Sequence, residues 1–199
     1  MKIVAEKLGK RFNREWVFRN FTYEFTSGNC YAITGPNGSG KSTLMQVLWS
    51  QMQPSAGTLH YGDLTPSEIF KSVSIAAPYM DLIEEFTLEE MVDFHFRFKK
   101  PRVPLGQLFE IIGLPSSRQK PIASFSSGMR QRLKLALAFY GDAEILFLDE
   151  PTTNLDKNST HWYLQHLSLV SSGTIVVIAS NQEHEYPDAS HKIDILSYK

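Results

Sequence analysis

The stretch that most constrains this chain is Gly35-Pro36-Asn37-Gly38-Ser39-Gly40-Lys41-Ser42-Thr43, which fits the pattern G-x-x-x-x-G-K-[ST]. A short apolar run, Tyr31 to Thr34, precedes it, and Leu44, Met45, Val47 and Leu48 follow at helical spacing. The bare pattern arises by chance in roughly one chain of this length per hundred, so the strand before it and the helix after it carry the inference. Glycines let successive backbone N–H groups turn toward an anion without Cβ clashes, and the helix that follows presents its positive end. Read this way, Gly35, Asn37, Gly38, Ser39, Gly40 and Thr43 line a phosphate cradle. Lys41 is placed to neutralise the β- and γ-phosphates of a nucleotide, and Ser42 to ligate Mg²⁺.

A loop of this kind belongs among alternating strands and helices, and the rest of the chain supplies them. Val73 to Ala76, Ile145 to Asp149 and Thr174 to Ala179 are further apolar runs bounded by turn residues. Continuous apolar runs suit strands buried on both faces, as in a parallel sheet covered by helices, and the segments between them are long enough for crossovers. The fold class is α/β. Before Tyr31 the texture changes. Lys2 to Leu8, Val17-Phe18 and Phe21 to Phe25 are short extended pieces separated by polar or Asn- and Gly-containing turns, which predicts an antiparallel β edge. Between Val73 and Ile145 the pattern turns helical: Thr87 and Glu90 form a capping box, and Leu88, Met91, Val92 and His95 recur near helical spacing. Pro101 and Pro104 end that segment, and a second helix is predicted from Leu105 to Ile112, stopped by Gly113 and Pro115.

Length and composition bound the function classes. A chain of 199 residues, 42% hydrophobic, supports one substantial core, so residues 1–199 read as one globular unit. Twenty Lys and Arg nearly balance 21 Asp and Glu, leaving no global field to attract nucleic acid or anionic lipid. No nucleic-acid partner is expected. The one cysteine, Cys30, reads as a small buried hydrophobe in a strand. Charge interrupts Met1 to Lys7 before a signal-peptide core develops, and the densest apolar runs fall far below the roughly 18 to 20 residues that span a bilayer as a helix. Membrane association is therefore expected through a partner.

Glu144 to Pro151 is an apolar strand ending in two adjacent acids, Asp149 and Glu150. Alone, such an end is a solvated turn. Combined with the phosphate cradle, it puts Asp149 on the Mg²⁺ side and makes Glu150 the candidate base for an attacking water.

The order of the motifs then becomes specific. The phosphate loop is followed by Phe125-Ser126-Ser127-Gly128-Met129-Arg130-Gln131-Arg132, the Asp149-Glu150-Pro151 strand end, and Asn154-Leu155-Asp156. This series resembles that of the ABC ATPases, the nucleotide-binding domains of ABC transporters, along nearly the whole chain. The resemblance implies a P-loop NTPase fold with a parallel core sheet, an N-terminal antiparallel β subdomain and a small helical subdomain over roughly residues 79–140. It implies ATP and Mg²⁺ as cofactors. Ser126 and Gly128 look like part of the family's signature motif, with Phe125, Ser127 and Met129 replacing its first, third and fifth members. In the family this helix end faces the γ-phosphate held by the opposite subunit. A head-to-tail pairing with a second ATP-binding subunit and a separate transmembrane permease is implied, at the inner face of the cell membrane. Ser126 is also a natural N-cap for a helix through Leu133, Ala136, Leu137 and Tyr140. Phe12 looks like the aromatic that stacks on adenine, with Trp16 second, although either also suits a core. Asp156 looks like the aspartate that couples the two sites, or else a helix cap for residues 157 onward.

Two family residues are absent. Where the family has a glutamine after the strand ending near Ala77, this chain has Pro78-Tyr79. Where it has a switch histidine after the strand ending at Ala179, the aligned residue is Asn181, with His184 nearby. Asn can hydrogen-bond a γ-phosphate oxygen but cannot carry an imidazolium charge, so binding is expected intact and turnover slow. Asn181 joins Lys41 and Glu150 as a candidate catalytic residue. Three functions stay open: a transport ATPase, a nucleotide-gated dimerisation module with little hydrolysis, and a soluble non-transport ABC ATPase.

Overall fold

The computed structural model describes residues 1–170 and 172–199. In chain order its elements are β1 (Lys2–Phe12), β2 (Glu15–Thr26), β3 (Cys30–Thr34), α1 (Lys41–Leu48), β4 (Ala56–His60), α2 (Pro66–Ser72), β5 (Val73–Ala76), α3 (Leu88–His95), α4 (Leu105–Ile112), α5 (Ser127–Tyr140), β6 (Ile145–Asp149), α6 (Lys157–Val170), β7 (Ile175–Ala179) and β8 (His191–Asp194). Five strands pair in parallel in the order β5-β6-β7-β3-β8, and three pair antiparallel in the order β2-β1-β4.

Side-chain alternation along the parallel strands divides the interior into two cores. Ile33, Ile145, Phe147, Ile175 and Val177 face one side, where they meet Leu44 and Leu48 of α1 and the aromatic face of β2 through Phe21 and Phe25. Ala32, Leu146, Leu148, Val176 and Ile178 face the other, against α5 and α6 through Leu133, Ala136 and Tyr163. Every residue of β6 and β7 is buried, which is why both read as unbroken apolar runs. Each fully buried Ile, Val or Phe there contributes roughly 1.5–3 kcal/mol. Truncating Phe147 would cost roughly 3–5 kcal/mol, because the surrounding layers close only partly over the void.

Local signals set the helix ends. The Thr87–Glu90 capping box forms in both directions: the Glu90 N–H donates to Thr87 Oγ1 at 3.2 Å, and the Thr87 N–H to Glu90 Oε2 at 2.8 Å. Helix α4 ends at Gly113 with φ 73°, a left-handed conformation that glycine adopts without strain.

The structure differs from the sequence reading at the edges. The short N-terminal pieces are continuous strands of 11 and 12 residues, whose register shifts where β1 bulges around Lys7, with φ 48°, and where β2 bulges around Asn20, with φ 57°, and again before Phe18. Strands β4 and β8 are edge strands with exposed or single buried residues, so neither shows an apolar run. Strand β7 begins at Ile175 rather than Thr174. Because the central strands are parallel, the ends of β3, β6 and β7 lie at one edge of the sheet, where α/β proteins place ligands.

Candidate functional site

Strand β3 runs directly into the phosphate loop. Gly38 and Gly40 hold φ 76° and 99°, and a Cβ at Gly38 would meet nothing within 4 Å, so this face of the loop is open. Helix α1 has Gly40 as its N-cap, with no side-chain cap and no acidic residue in its first turn, leaving its leading N–H groups and positive end for an external anion. Lys41 and Ser39 are buried. Lys41 Nζ donates to the carbonyls of Gly35 at 2.9 Å and Pro36 at 3.2 Å, which holds the ammonium over the loop.

Strand β6 brings Asp149 to the same edge. Its carboxyl is almost fully buried, and Oδ1 has no hydrogen-bond partner among the described residues. Burial pushes its pKa up to about 6, opposed by a hydrogen bond from Ser42 and reinforced by the charge of Glu150. One hydroxyl and one carboxylate beside a phosphate cradle suit Mg²⁺, which takes few protein ligands and shares phosphate oxygens. Among the described residues no group of three His, Cys, Asp or Glu side chains could hold a metal by itself.

The turn after β6 is held from three sides. Glu150 adopts φ 43°, unusual for a residue with a side chain, while its N–H donates to the Ala179 carbonyl at 2.9 Å. Gln131 of α5 donates from Nε2 to the Pro151 carbonyl at 2.8 Å. Fully buried Glu185 accepts from the Thr152 N–H at 2.9 Å and from the Thr152 hydroxyl. The sequence reading missed Gln131 and Glu185. Glu185 lies 33 residues from Thr152, and a single acid in a polar turn carries no signal of such a pairing.

At the end of β7, Asn181 Nδ2 donates to Asn37 Oδ1 at 3.2 Å, so this residue touches the phosphate loop. His184 turns elsewhere, with Nε2 at 3.3 Å from Thr152 Oγ1. Tyr79 lies close enough to Asp149 for that charge to raise its pKa, although burial is the larger cause and a hydrogen bond with Gln46 opposes both. Lys134 of α5 donates to the neighbouring Pro78 carbonyl at 3.3 Å.

The remaining candidates are not gathered around the loop. Ser126 caps α5, its Oγ accepting from the Met129 N–H at 3.2 Å. A Cβ on Gly128 would come within 3.1 Å of the Asn154 carbonyl, so glycine permits this approach. Among the described residues, no hydrogen bond joins Ser126 or Gly128 to the phosphate loop of the same chain. Asp156 caps α6 through Ser159 N–H at 2.7 Å. Phe12 is 49% exposed at the tip of the β1–β2 hairpin, with Lys10 Nζ 5.4 Å from its ring centre. Trp16, 38% exposed, lies over Gly9, where a Cβ would come within 2.8 Å of its ring.

With this geometry in hand, the family described as ABC transporter matches residues 18–153. The chain belongs to the ABC transporter family. The Nod factor export ATP-binding protein I of Ralstonia nicotianae is 30% identical over 187 residues, covering 89% of this chain and 58% of the relative. Its counterpart in Sinorhizobium fredii is 31% identical over 208 residues, covering 98% of this chain and 60% of the relative. The chain thus spans about three fifths of the length of these ABC relatives. A solved ATP-binding subunit of an ABC transporter superposes with a TM-score of 0.84 at 22% identity, covering 94% of this chain and 82% of that one. A dimeric bacterial ABC transporter cassette gives 0.83 at 20% identity, covering 97% and 94%. At those identities the likeness speaks for the fold, and the parallel five-stranded sheet beside an antiparallel three-stranded one is the ABC ATPase architecture.

Proposed function

We propose that this chain is an ATP-binding, ATP-hydrolysing subunit that pairs with a second such subunit and drives a separate membrane permease. The observation that carries the reading is the meeting of an open, uncapped phosphate loop with a buried Asp149 oxygen that has no hydrogen-bond partner among the described residues, at one edge of the sheet.

The backbone N–H groups of the loop bind the phosphates, and Lys41 leaves the loop carbonyls to neutralise them. Ser42 and Asp149 would hold Mg²⁺, which would supply charge neutralisation to the phosphates. Glu150 accepts the proton of the water that attacks the γ-phosphorus as the bond to the departing ADP oxygen breaks, and three contacts hold the backbone of the turn that carries it. Asn181 donates a neutral hydrogen bond toward the γ-phosphate, so the developing charge is less stabilised than by an imidazolium and turnover is slow. Phe12 stacks on the adenine. The capped end of α5, with Ser126 and Gly128, faces the nucleotide of a second subunit, identical or different, while Asp156 serves its own chain as a helix cap.

Residues 79–140 act as the helical subdomain that meets the permease. Supporting this, Met80, Phe94 and Phe98 of that segment line a groove of about 870 Å³ together with Trp49, Met52 and Phe70 from outside it. Phe70 and Phe98 remain 73% and 63% exposed, a large apolar surface for a partner helix to cover. Among the described residues no helix is long and apolar enough to cross a membrane. The permease partner holds the chain at the inner membrane face. Similarity to export ATP-binding proteins supports the transport setting.

Steady-state ATP hydrolysis by the unmodified chain, Asn181→His and His184→Ala tests the assignment. Faster turnover in Asn181→His is expected, with little change in His184→Ala. Unchanged turnover in the first with collapse in the second would transfer the switch role to His184. The neutral Asn181 also favours a second reading, a nucleotide-gated dimerisation module. A single-turnover assay in which bound ATP persists unhydrolysed would select that one.

A further inference from the structure

The segment after β8 braces the phosphate loop on its outer side. A Cγ methyl of Ile195 occupies the space beside Gly35, 2.7 Å from where a Cβ would stand. At the other end of the loop, a Cγ methyl of Val17 from β2 lies 2.4 Å from the Cβ position of Gly40. Between them Lys199 spans loop and strand: its Nζ donates to the Ser39 carbonyl at 2.6 Å and to the Val17 carbonyl at 2.9 Å. The lysine is itself anchored, because Arg19 Nε donates to its backbone oxygen at 3.3 Å and the Tyr198 ring packs edge-on against Phe21 at 4.8 Å.

The Ser39 carbonyl and the Gly40 N–H belong to one peptide group, so a cation on the oxygen polarises the N–H on the opposite side. Gly40 is the N-cap of α1, and on the nucleotide-binding reading its N–H is one of the loop's anion donors. Lys41 grips the first carbonyls of the loop, and Lys199 grips the last.

We propose that Lys199 is a positioning residue for the nucleotide: its ammonium, bound to the Ser39 and Val17 carbonyls, ties the phosphate loop to β2 and strengthens the Gly40 N–H as a phosphate donor. The proposal rests on the nucleotide-binding reading above. It is tested by titrating MgATP and MgADP calorimetrically against the full chain and its Lys199→Met and Lys199→Arg variants. Lys199→Met, which keeps the stem and removes the charge, raises both dissociation constants by the same factor of about ten, the scale of one charge-assisted hydrogen bond. Lys199→Arg restores the charge and stays within about threefold of the unmodified chain. The ligand-free melting temperature of Lys199→Met moves by less than about 2 °C, since an exposed side chain contributes little to packing. Unchanged affinity in Lys199→Met overturns the proposal. An affinity loss shared by Lys199→Arg, or matched by a fall in melting temperature, also overturns it by making Lys199 a packing residue. If the unmodified chain binds neither nucleotide, the functional reading itself fails and the proposal with it.

Discussion

The phosphate loop and the turn after β7 meet at the same edge of the sheet, yet they rest on different chemistry. The loop presents backbone: peptide N–H groups shaped by Gly38 and Gly40 and left without a side-chain cap at the start of α1. The turn presents side chains: Asn181 reaches Asn37, and buried Glu185 grips Thr152. A backbone site survives most substitutions outside its glycines and lysine, whereas a side-chain site changes its chemistry with one residue. On the proposed reading, nucleotide binding and turnover therefore answer to different substitutions, and Asn181 bears on the second.

The strongest way to break that separation is Glu150→Gln. Loss of the base should lower turnover by about 10²- to 10⁴-fold, read by phosphate release, with MgATP affinity unchanged. If affinity falls as far as turnover, the two regions are one unit. Glu185→Ala comes next. It leaves the buried Thr152 N–H without its acceptor, which should cost about 1–3 kcal/mol in a urea denaturation series and reduce kcat more than affinity. Phe12→Ala acts on the other side of the comparison. Losing a stacking surface worth about 1 kcal/mol should weaken MgATP binding about fivefold without altering kcat. The same loss on Trp16→Ala instead would move the base platform to Trp16.

His95 lies in neither region. Burial lowers its pKa from 6.5 to about 4, with the Lys99 charge adding to the shift and a backbone hydrogen bond at Leu137 opposing it. The unfolded chain therefore takes up the proton first as pH falls. The stability from keeping His95 neutral is complete above pH 6.5 and declines from there toward pH 4. The difference in unfolding free energy between the unmodified chain and His95→Gln should shrink over that window and stay flat above it.

Legibility in the sequence followed how local each interaction is. The phosphate loop, the Thr87–Glu90 box, the Ser126 cap and the Gly113 stop are formed by neighbours within a turn, so pattern and structure coincide. The buried β6 and β7 were legible because both faces are covered. Strands β4 and β8 were not, since an edge strand needs no apolar run. The contacts that hold the Glu150 turn join α5, β6 and the segment after β7, and no spacing rule links residues 131, 152 and 185. Asp156 allowed two readings from its position, and a hydrogen bond three residues away accounts for one of them.

The most direct test is a titration of MgATP against the purified chain and its Lys41→Ala variant. Saturable binding by the unmodified chain, weakened about a hundredfold when the ammonium is removed, is the predicted result. Equal affinity in the two proteins would mean that the nucleotide does not sit on this loop.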